Sequence, residues 1–218
     1  MVSQTLIQKT AVYVKAKLMK EFSGSDWSHI ERVWNMAKRL QKEEGGSLDL
    51  VELAALLHDL GDYKNYEFNE IKGSLVLRGM MDVLDIEDKD QEKLIKIIDE
   101  AQYNGNETKV PSTIEGKILQ DSDWLEALGA IGIARIFATG GYFRRVIHDP
   151  KRKPRKNMSK RDYQLRKQEG TSINYFYEKS FKLVKMMNTK SGREIARKRE
   201  QFLKIYIEEF LAECNGER

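Results

Sequence analysis

A histidine and an aspartate stand side by side at the end of an apolar run, and both residue types bind divalent metals. The run begins at Leu53 and consists of alanine and leucine until it reaches His58 and Asp59. Burying polar groups beside leucines costs free energy unless a charged or hydrogen-bonding partner compensates them. Neutral imidazole and carboxylate groups are good ligands for first-row cations. A core histidine capped by its neighbour explains the doublet equally well, so the metal hypothesis depends on finding further ligands.

Two more residues qualify as partners for this doublet, and each lies in a predicted helix. His29 borders the apolar stripe of its helix; a lone histidine there is usually a core residue, so it becomes a ligand candidate only beside His58. Asp121 interrupts an otherwise aliphatic stripe, which is formed by Ile114, Ile118, Leu125 and Leu128. A carboxylate in such a stripe needs a cation or several hydrogen-bond donors to compensate its burial. Asp121 is therefore the more telling of the two anomalies in the chain.

Apolar residues recur at helical spacing along most of the sequence, so helices must position these side chains. The 218-residue chain has only three prolines, and its 33% charged and 40% apolar residues are typical of helix-rich globular proteins. Two capping boxes, Asp49 with Glu52 and Ser112 with Glu115, mark helix starts. The predicted helices are residues 3–22, one from Ser25 or Asp26 to Gly45, one from Asp49 to a C-cap at Gly61, 67–84, 89–103, one from Ser112, and two within 171–212 that are separated near Ser191 and Gly192.

Composition excludes several classes of protein. The single cysteine, Cys214, excludes a disulfide within the chain and a cysteine-based metal site. No apolar stretch approaches the roughly 20 residues that span a bilayer. The N-terminus lacks the basic-then-apolar layout of a signal peptide. We therefore expect a protein of the reducing cytoplasm that does not engage membranes.

Positive charge is concentrated in residues 144–167, which we call the basic loop. The net charge of the whole chain is only +4, but this loop holds 11 Lys or Arg against Asp149 and Asp162, a local charge of +9. Such a run is usually a solvated surface; its functional interpretation is attraction of a nucleotide phosphate or a nucleic-acid backbone. His148 and Asp149 repeat the His-Asp doublet, but no apolar helix leads into them, so we interpret them as a decoy.

Arg135 emerges from a glycine-containing apolar run, residues 129–137. The run lacks the glycine spacing and the preceding strand of a dinucleotide-binding loop. Small residues that let two helices approach closely explain it better. Arg135 itself could bind a phosphate or form a structural ion pair, and the sequence leaves both open.

Taken together, these residues offer two imidazoles and two carboxylates from three predicted helices, and the chain resembles the HD-domain metal-dependent phosphohydrolases. In that family a histidine on an early helix precedes a His-Asp doublet on a later helix and a distant aspartate. The likeness is closer still to a bacterial single-domain subgroup of about this length, some members of which cleave nucleoside triphosphates. It covers nearly the whole chain and is carried by residues 26–34, 54–64, 114–135, 189–192 and 195–199.

The resemblance implies an all-α fold, with residues 1–218 forming a single HD-type helical domain. Its core is expected at 20–140, followed by the basic loop and by C-terminal helices at 168–213. The resemblance also implies one divalent metal ion (Mn, Mg, Fe, Ni or Zn), with the ligands His29, His58, Asp59 and Asp121. Open coordination positions would distinguish such a catalytic site from a structural one.

The same resemblance implies hydrolysis of a phosphorylated small molecule, which we expect to be a nucleotide. The metal would polarise a phosphoryl oxygen and lower the pKa of the attacking water. Asp62 is expected to manage the proton of that water, with Lys64 and Arg135 contacting phosphate. Asp123 is expected to orient one of the metal ligands without binding the metal itself. The finer expectation is conversion of a nucleoside triphosphate to a monophosphate and pyrophosphate. The subgroup usually has histidine where Tyr175 stands.

Two functions from other classes compete with this one. The first is a nucleic-acid-binding protein that uses the basic loop and has a structural or degenerate metal site. The second is a nucleotide sensor that binds without turnover. Asp62 and Lys64 favour the hydrolase over the sensor, because a sensor needs no proton-transfer group.

Overall fold

The computed structural model describes residues 4–21, 23–60, 70–165 and 170–218, and nearly all regular structure in these ranges is helical. The longer helices are α1 Gln4–Lys17, α2 Trp27–Glu44, α3 Leu48–Leu57, α4 Glu70–Val83, α5 Asp88–Ala101, α6 Ile114–Leu125, α7 Gly129–Tyr142 and α11 Lys190–Cys214. The short ones are a 3-10 turn Gly105–Glu107, α8 Lys160–Leu165, α9 Ser172–Tyr175, a π-helical turn Phe176–Ser180 and α10 Phe181–Met186. Strand-like pairing in the described ranges is limited to a bridge between Val146 and Thr171. The predicted all-α fold is confirmed.

Helix α3 lies at the centre of the fold. It contacts α1, α2, α5 and α6, and every residue from Val51 to Leu57 is buried. A helix that is apolar on all sides must be surrounded by other helices. Because α3 is buried, its C-terminal end lies deep in the molecule, and His58 and Asp59 follow directly after it.

Helix caps fix where the surrounding helices begin. The Asp26 side chain accepts a hydrogen bond from the backbone N–H of His29, which confirms Asp26 as the cap of α2. The caps of two other helices differ from the predictions by one or two residues. Ser47, not Asp49, caps α3, and Thr113, not Ser112, caps α6. Ser112 instead donates its N–H and its hydroxyl to Glu100 of α5, which leaves the cap position to its neighbour.

Asp121 joins α6 to the start of α11. Its Oδ1 accepts hydrogen bonds from the backbone N–H and the side-chain amide of Asn188, at 2.9 and 2.8 Å. Its Oδ2 accepts from the backbone N–H and the hydroxyl of Thr189, at 2.7 and 2.6 Å. A Cβ on Gly192 would lie only 2.5 Å from Oδ2, so glycine is required there. The buried charge is thus compensated by several donors, the alternative to a cation that the sequence also allowed.

The basic loop is partly packed against the rest of the fold. Glu178 accepts hydrogen bonds from the backbone and guanidinium of Arg155, and the buried Met158 carbonyl accepts from Asn106. Asp149 pairs with Arg152 at 3.1 Å, so the decoy doublet uses its carboxylate locally. Lys151 and its neighbours remain exposed, whereas Tyr163 of α8 is buried.

None of the described helices combines the length and the hydropathy that crossing a bilayer requires. Cys214 is a free, exposed thiol.

Asp121→Asn is expected to lower the free energy of unfolding by about 2–3 kcal/mol, because the amide nitrogen would face donors that now bind an oxygen. Urea unfolding in the presence of a chelator measures this. Asp123→Asn, two residues along the same helix, is the matched control and should lower the unfolding free energy less than Asp121→Asn does, because its side chain is about one-third exposed. Equal stability of the two variants would contradict a structural role for Asp121.

Candidate metal centre and substrate cavity

Three helices bring their ends together around two histidines. His29 lies in the first turn of α2, directly after its cap, and His58 follows the last turn of α3. The ring centroids of the two imidazoles are 5.5 Å apart, and both side chains are buried. Asp123 and Glu126 come from the C-terminal end of α6.

The Nε2 atoms of both histidines face two carboxylates. His29 Nε2 lies 3.5 Å from Asp59 Oδ2 and 3.5 Å from Asp123 Oδ1. His58 Nε2 lies 3.4 Å from Asp59 Oδ1 and 3.9 Å from Asp123 Oδ1. Bonds of about 2.1 Å to one cation place neighbouring ligand atoms about 3–3.5 Å apart, close to these spacings. Ligand atoms of His29, His58 and Asp59 all lie within 4.8 Å of one another.

The hydrogen bond at the other ring nitrogen, Nδ1, determines the tautomer of each neutral histidine. His58 Nδ1 lies 2.8 Å from the Ala55 carbonyl oxygen, which can only accept, so Nδ1 carries the proton. His29 Nδ1 donates to Glu126 at 3.4 Å. Within the described part of the chain, neither Nε2 atom makes a hydrogen bond. Two buried imidazole lone pairs directed at carboxylates fit a divalent cation, whose ligating histidines normally donate their other N–H in this way.

Glu126 also forms an ion pair with Arg32, and this pair contacts His29 through its Nδ1 atom. The Arg32 Nε atom donates to the Glu126 carboxylate at 2.7 Å. Burial raises the pKa of Glu126, but its contacts with His29 and Arg32 outweigh burial and hold it below its usual range. Sequence reasoning missed both residues. Arg32 is three residues beyond His29, and Glu126 three beyond Asp123, but 94 residues separate them, and only the fold shows that they meet.

The local charges shift the pKa values of the cluster in different directions. Burial, with the positive charge of Arg135, lowers the pKa of His29. Burial also acts to lower the pKa of His58, but the carboxylates of Asp59 and Asp123 outweigh it and raise that pKa. The raised pKa of His58 means that protons compete with a metal for its Nε2 atom, so metal affinity is expected to fall as the pH falls.

A cavity of about 390 Å³ opens beside these ligands. Its lining includes the candidate ligands His29, Asp59 and Asp123, together with aromatic and cationic side chains, namely Tyr142, Phe143, Tyr163, Tyr175, Arg135 and Lys179. A volume of this size lies within the usual range for small-molecule sites. The cluster is therefore accessible to a ligand.

Comparisons with known proteins agree with this arrangement. The family model described as HD domain matches residues 26–128. YpgQ of Bacillus subtilis is 30% identical over 216 residues, covering 96% of this chain and 94% of YpgQ. The chain belongs to the HD-domain family of hydrolases. The HD-superfamily hydrolase of Bacillus thuringiensis is 38% identical, with a TM-score of 0.71 over 97% of this chain and 98% of that one. A structure from Lactobacillus plantarum is 34% identical, with a TM-score of 0.88 over 99% and 100%.

The aspartate of α6 that faces the HD-domain histidines is Asp123, not Asp121. Successive helical residues are rotated by about 100°, so two residues apart they point to nearly opposite sides. Asp121 is fully buried against Asn188 and Thr189, whereas the Asp123 side chain is 32% exposed and lines the cavity. The prediction of Asp121 as a ligand is corrected on this geometry, and so is the supporting role predicted for Asp123. Burial raises the pKa of Asp123, but His58 and His29 outweigh burial and lower it.

The remaining predicted site residues have different outcomes. His29, His58 and Asp59 are brought together as expected. Arg135 lines the cavity, and its guanidinium also donates to the backbone carbonyls of Gly24 and Glu126, at 2.7 and 3.2 Å. Asp62 and Lys64 lie outside the described residues. Gly61 does too, but the prediction that it is the C-cap of α3 is wrong, because α3 ends at Leu57 with His58 as its C-cap.

Asp123→Asn should lower the affinity for Mn²⁺ at least tenfold, because the neutral amide is a poorer ligand than a carboxylate. Asp121→Asn should leave that affinity unchanged, the reverse of the order expected for stability. Calorimetric titration with Mn²⁺ measures both variants at one pH. Loss of binding in folded Asp121→Asn, with retention in Asp123→Asn, would restore the original assignment.

Glu126→Gln should weaken Mn²⁺ binding about tenfold to hundredfold, because Glu126 orients the imidazole of His29 and stabilises its Nδ1 proton. Glu52→Gln is the control, since Glu52 is also buried but accepts a hydrogen bond from Trp34, on another side of α2. Equal Mn²⁺ affinity in the two variants would show that Glu126 does not act on the metal through His29.

Proposed function

We propose that this HD-domain hydrolase cleaves a nucleotide at a phosphate linkage, and that a divalent metal ion is held by His29, His58, Asp59 and Asp123. The observation that carries the proposal is the pair of buried Nε2 atoms that make no hydrogen bond among the described residues and face carboxylates beside an accessible cavity. A divalent cation there would polarise a phosphoryl oxygen and make a water molecule acidic enough to attack phosphorus near neutral pH.

The chain's own residues supply the other requirements of the reaction. Glu126 and the Ala55 carbonyl hold the two imidazoles in the tautomer that presents Nε2. Arg135 places a positive charge on the cavity wall, where it can bind the phosphate that becomes more negative during cleavage. Asp62, four residues after His58 in sequence, is proposed to accept the proton of the attacking water. Lys64 is proposed to contact phosphate.

A nucleotide is the proposed substrate class for two reasons. A structure of Bacillus subtilis YpgQ in complex with ADP has a TM-score of 0.69 to this chain, with 28% identity over 94% of this chain and 95% of YpgQ. In this chain the cavity joins metal-ligand side chains to aromatic rings such as Tyr142 and Tyr175, on which a base can stack. The finer proposal is release of pyrophosphate from a nucleoside triphosphate.

The test is product analysis with the common ribo- and deoxyribonucleoside triphosphates in Mn²⁺ or Mg²⁺. We expect monophosphate and pyrophosphate in equal amounts from the wild type, and at least a hundredfold lower rate from Asp59→Asn. Asp149→Asn is the matched control, because it changes the aspartate of the decoy doublet and should leave the rate unchanged.

Two results would count against the proposal. A metal-loaded wild type that cleaves no nucleotide would refute the reaction. Salt-dependent retention of that inactive protein on DNA or RNA, lost when Lys151, Arg152 and Lys153 are replaced by Ala, would favour the nucleic-acid-binding alternative.

A further inference from the structure

Lys179 lies on the cavity wall in an unusual piece of helix. It is part of the π-helical turn Phe176–Ser180, between α9 and α10. Isolated π-turns within α-helical runs are rare and occur frequently at functional sites. In this turn Phe176, Glu178 and Ser180 are buried and Tyr177 is exposed, while Lys179 reaches the cavity.

Three tyrosine rings surround the ammonium group of Lys179. Its Nζ lies 4.8 Å from the ring centroid of Tyr103, 5.4 Å from that of Tyr163 and 5.9 Å from that of Tyr175. It also donates a hydrogen bond of 3.1 Å to the Tyr163 hydroxyl. Aromatic faces attract a cation and exclude water from it. The tyrosines therefore hold a partly desolvated positive charge in one position.

The positive charge of Lys179 lies beside the same cavity as the candidate metal ligands. Lys179, Tyr163 and Tyr175 line the cavity together with His29, Asp59 and Asp123. The positive charge of Lys179 is also one of the influences that lower the pKa of Asp123, after those of the two histidines. An anion bound at the metal ligands would thus lie in the field of Lys179.

We propose that Lys179, held by the π-helical turn among Tyr103, Tyr163 and Tyr175, binds a phosphate oxygen of the substrate. The assignment rests on the proposed function and names the group that recognises the polyphosphate. A lysine ammonium beside the cavity supplies N–H donors, and phosphate oxygens form strong, charge-assisted hydrogen bonds with such a group. The proposal also gives the basic loop a role in the site, because Tyr163 belongs to that loop.

The test is calorimetric binding of inorganic pyrophosphate and of ADP to the Mn²⁺-loaded full chain. Lys179→Met, which keeps the length of the side chain but not the charge, should raise both dissociation constants at least tenfold. Lys179→Arg, which keeps the charge, should recover part of the loss. Lys185→Met is the matched control, because Lys185 is an exposed residue of α10 that does not line this cavity. Mn²⁺ content and thermal midpoint are measured for every variant.

The outcomes separate the assignment from the proposed reaction. Unchanged dissociation constants in Mn²⁺-loaded Lys179→Met would overturn the assignment, even if the wild type hydrolyses nucleotides. Weaker binding in this variant, from a wild type that binds but does not hydrolyse, would support the assignment and refute the reaction. If Lys179→Met does not fold, the Arg variant and Tyr163→Phe decide: a change in pyrophosphate binding with an unchanged thermal midpoint supports the assignment, and no change in either variant overturns it.

Discussion

The structure depends on the burial of two imidazoles beside carboxylates at the end of an apolar helix. An unsatisfied buried polar group costs about 1–3 kcal/mol, and both Nε2 atoms lack a hydrogen bond among the described residues. Hydrogen bonds at the Nδ1 atoms of the two rings help to offset this cost. The Ala55 carbonyl contacts Nδ1 of His58, and the Glu126–Arg32 pair contacts Nδ1 of His29, so both rings are held on the side away from Nε2. Binding of a cation at the two Nε2 atoms would compensate this cost and so stabilise the folded protein.

Two carboxylates of α6 that are only two residues apart have different surroundings. Asp121 faces the start of α11 and is satisfied by amide and hydroxyl donors, whereas Asp123 faces the histidines and the cavity. The two carboxylates therefore have different physical requirements. One must be closed off and fully hydrogen-bonded, and the other must keep an oxygen accessible. A helix supplies both because its residues rotate by about 100° each.

Residue type and local pattern predicted helices and a cap at Ser25 or Asp26, and the resemblance to the HD-domain hydrolases added the all-α fold and the meeting of His29 with His58 and Asp59. They failed on α6 because that helix is buried on most of its faces, so its apolar stripe does not identify the side that faces the metal ligands. Asp121 was correctly predicted to be buried, but its donors come from residues 188 and 189, which no local pattern connects to it. Glu126 and Lys179 were missed for the same reason. Their significance arises only from contacts made by distant parts of the chain.

The residues that line the cavity come from parts of the chain that differ in charge. The lining takes the candidate ligands His29, Asp59 and Asp123 from α2, from the end of α3 and from α6. Tyr163 comes from the basic loop, whose charge of +9 contrasts with the chain's net +4. Charges within a Debye length of about 8–10 Å still act on one another at physiological salt. Tyr163 ties this loop to the cavity, but none of the loop's cations is among the described residues that line it, so the loop's charge can act on a bound anion only from outside that lining.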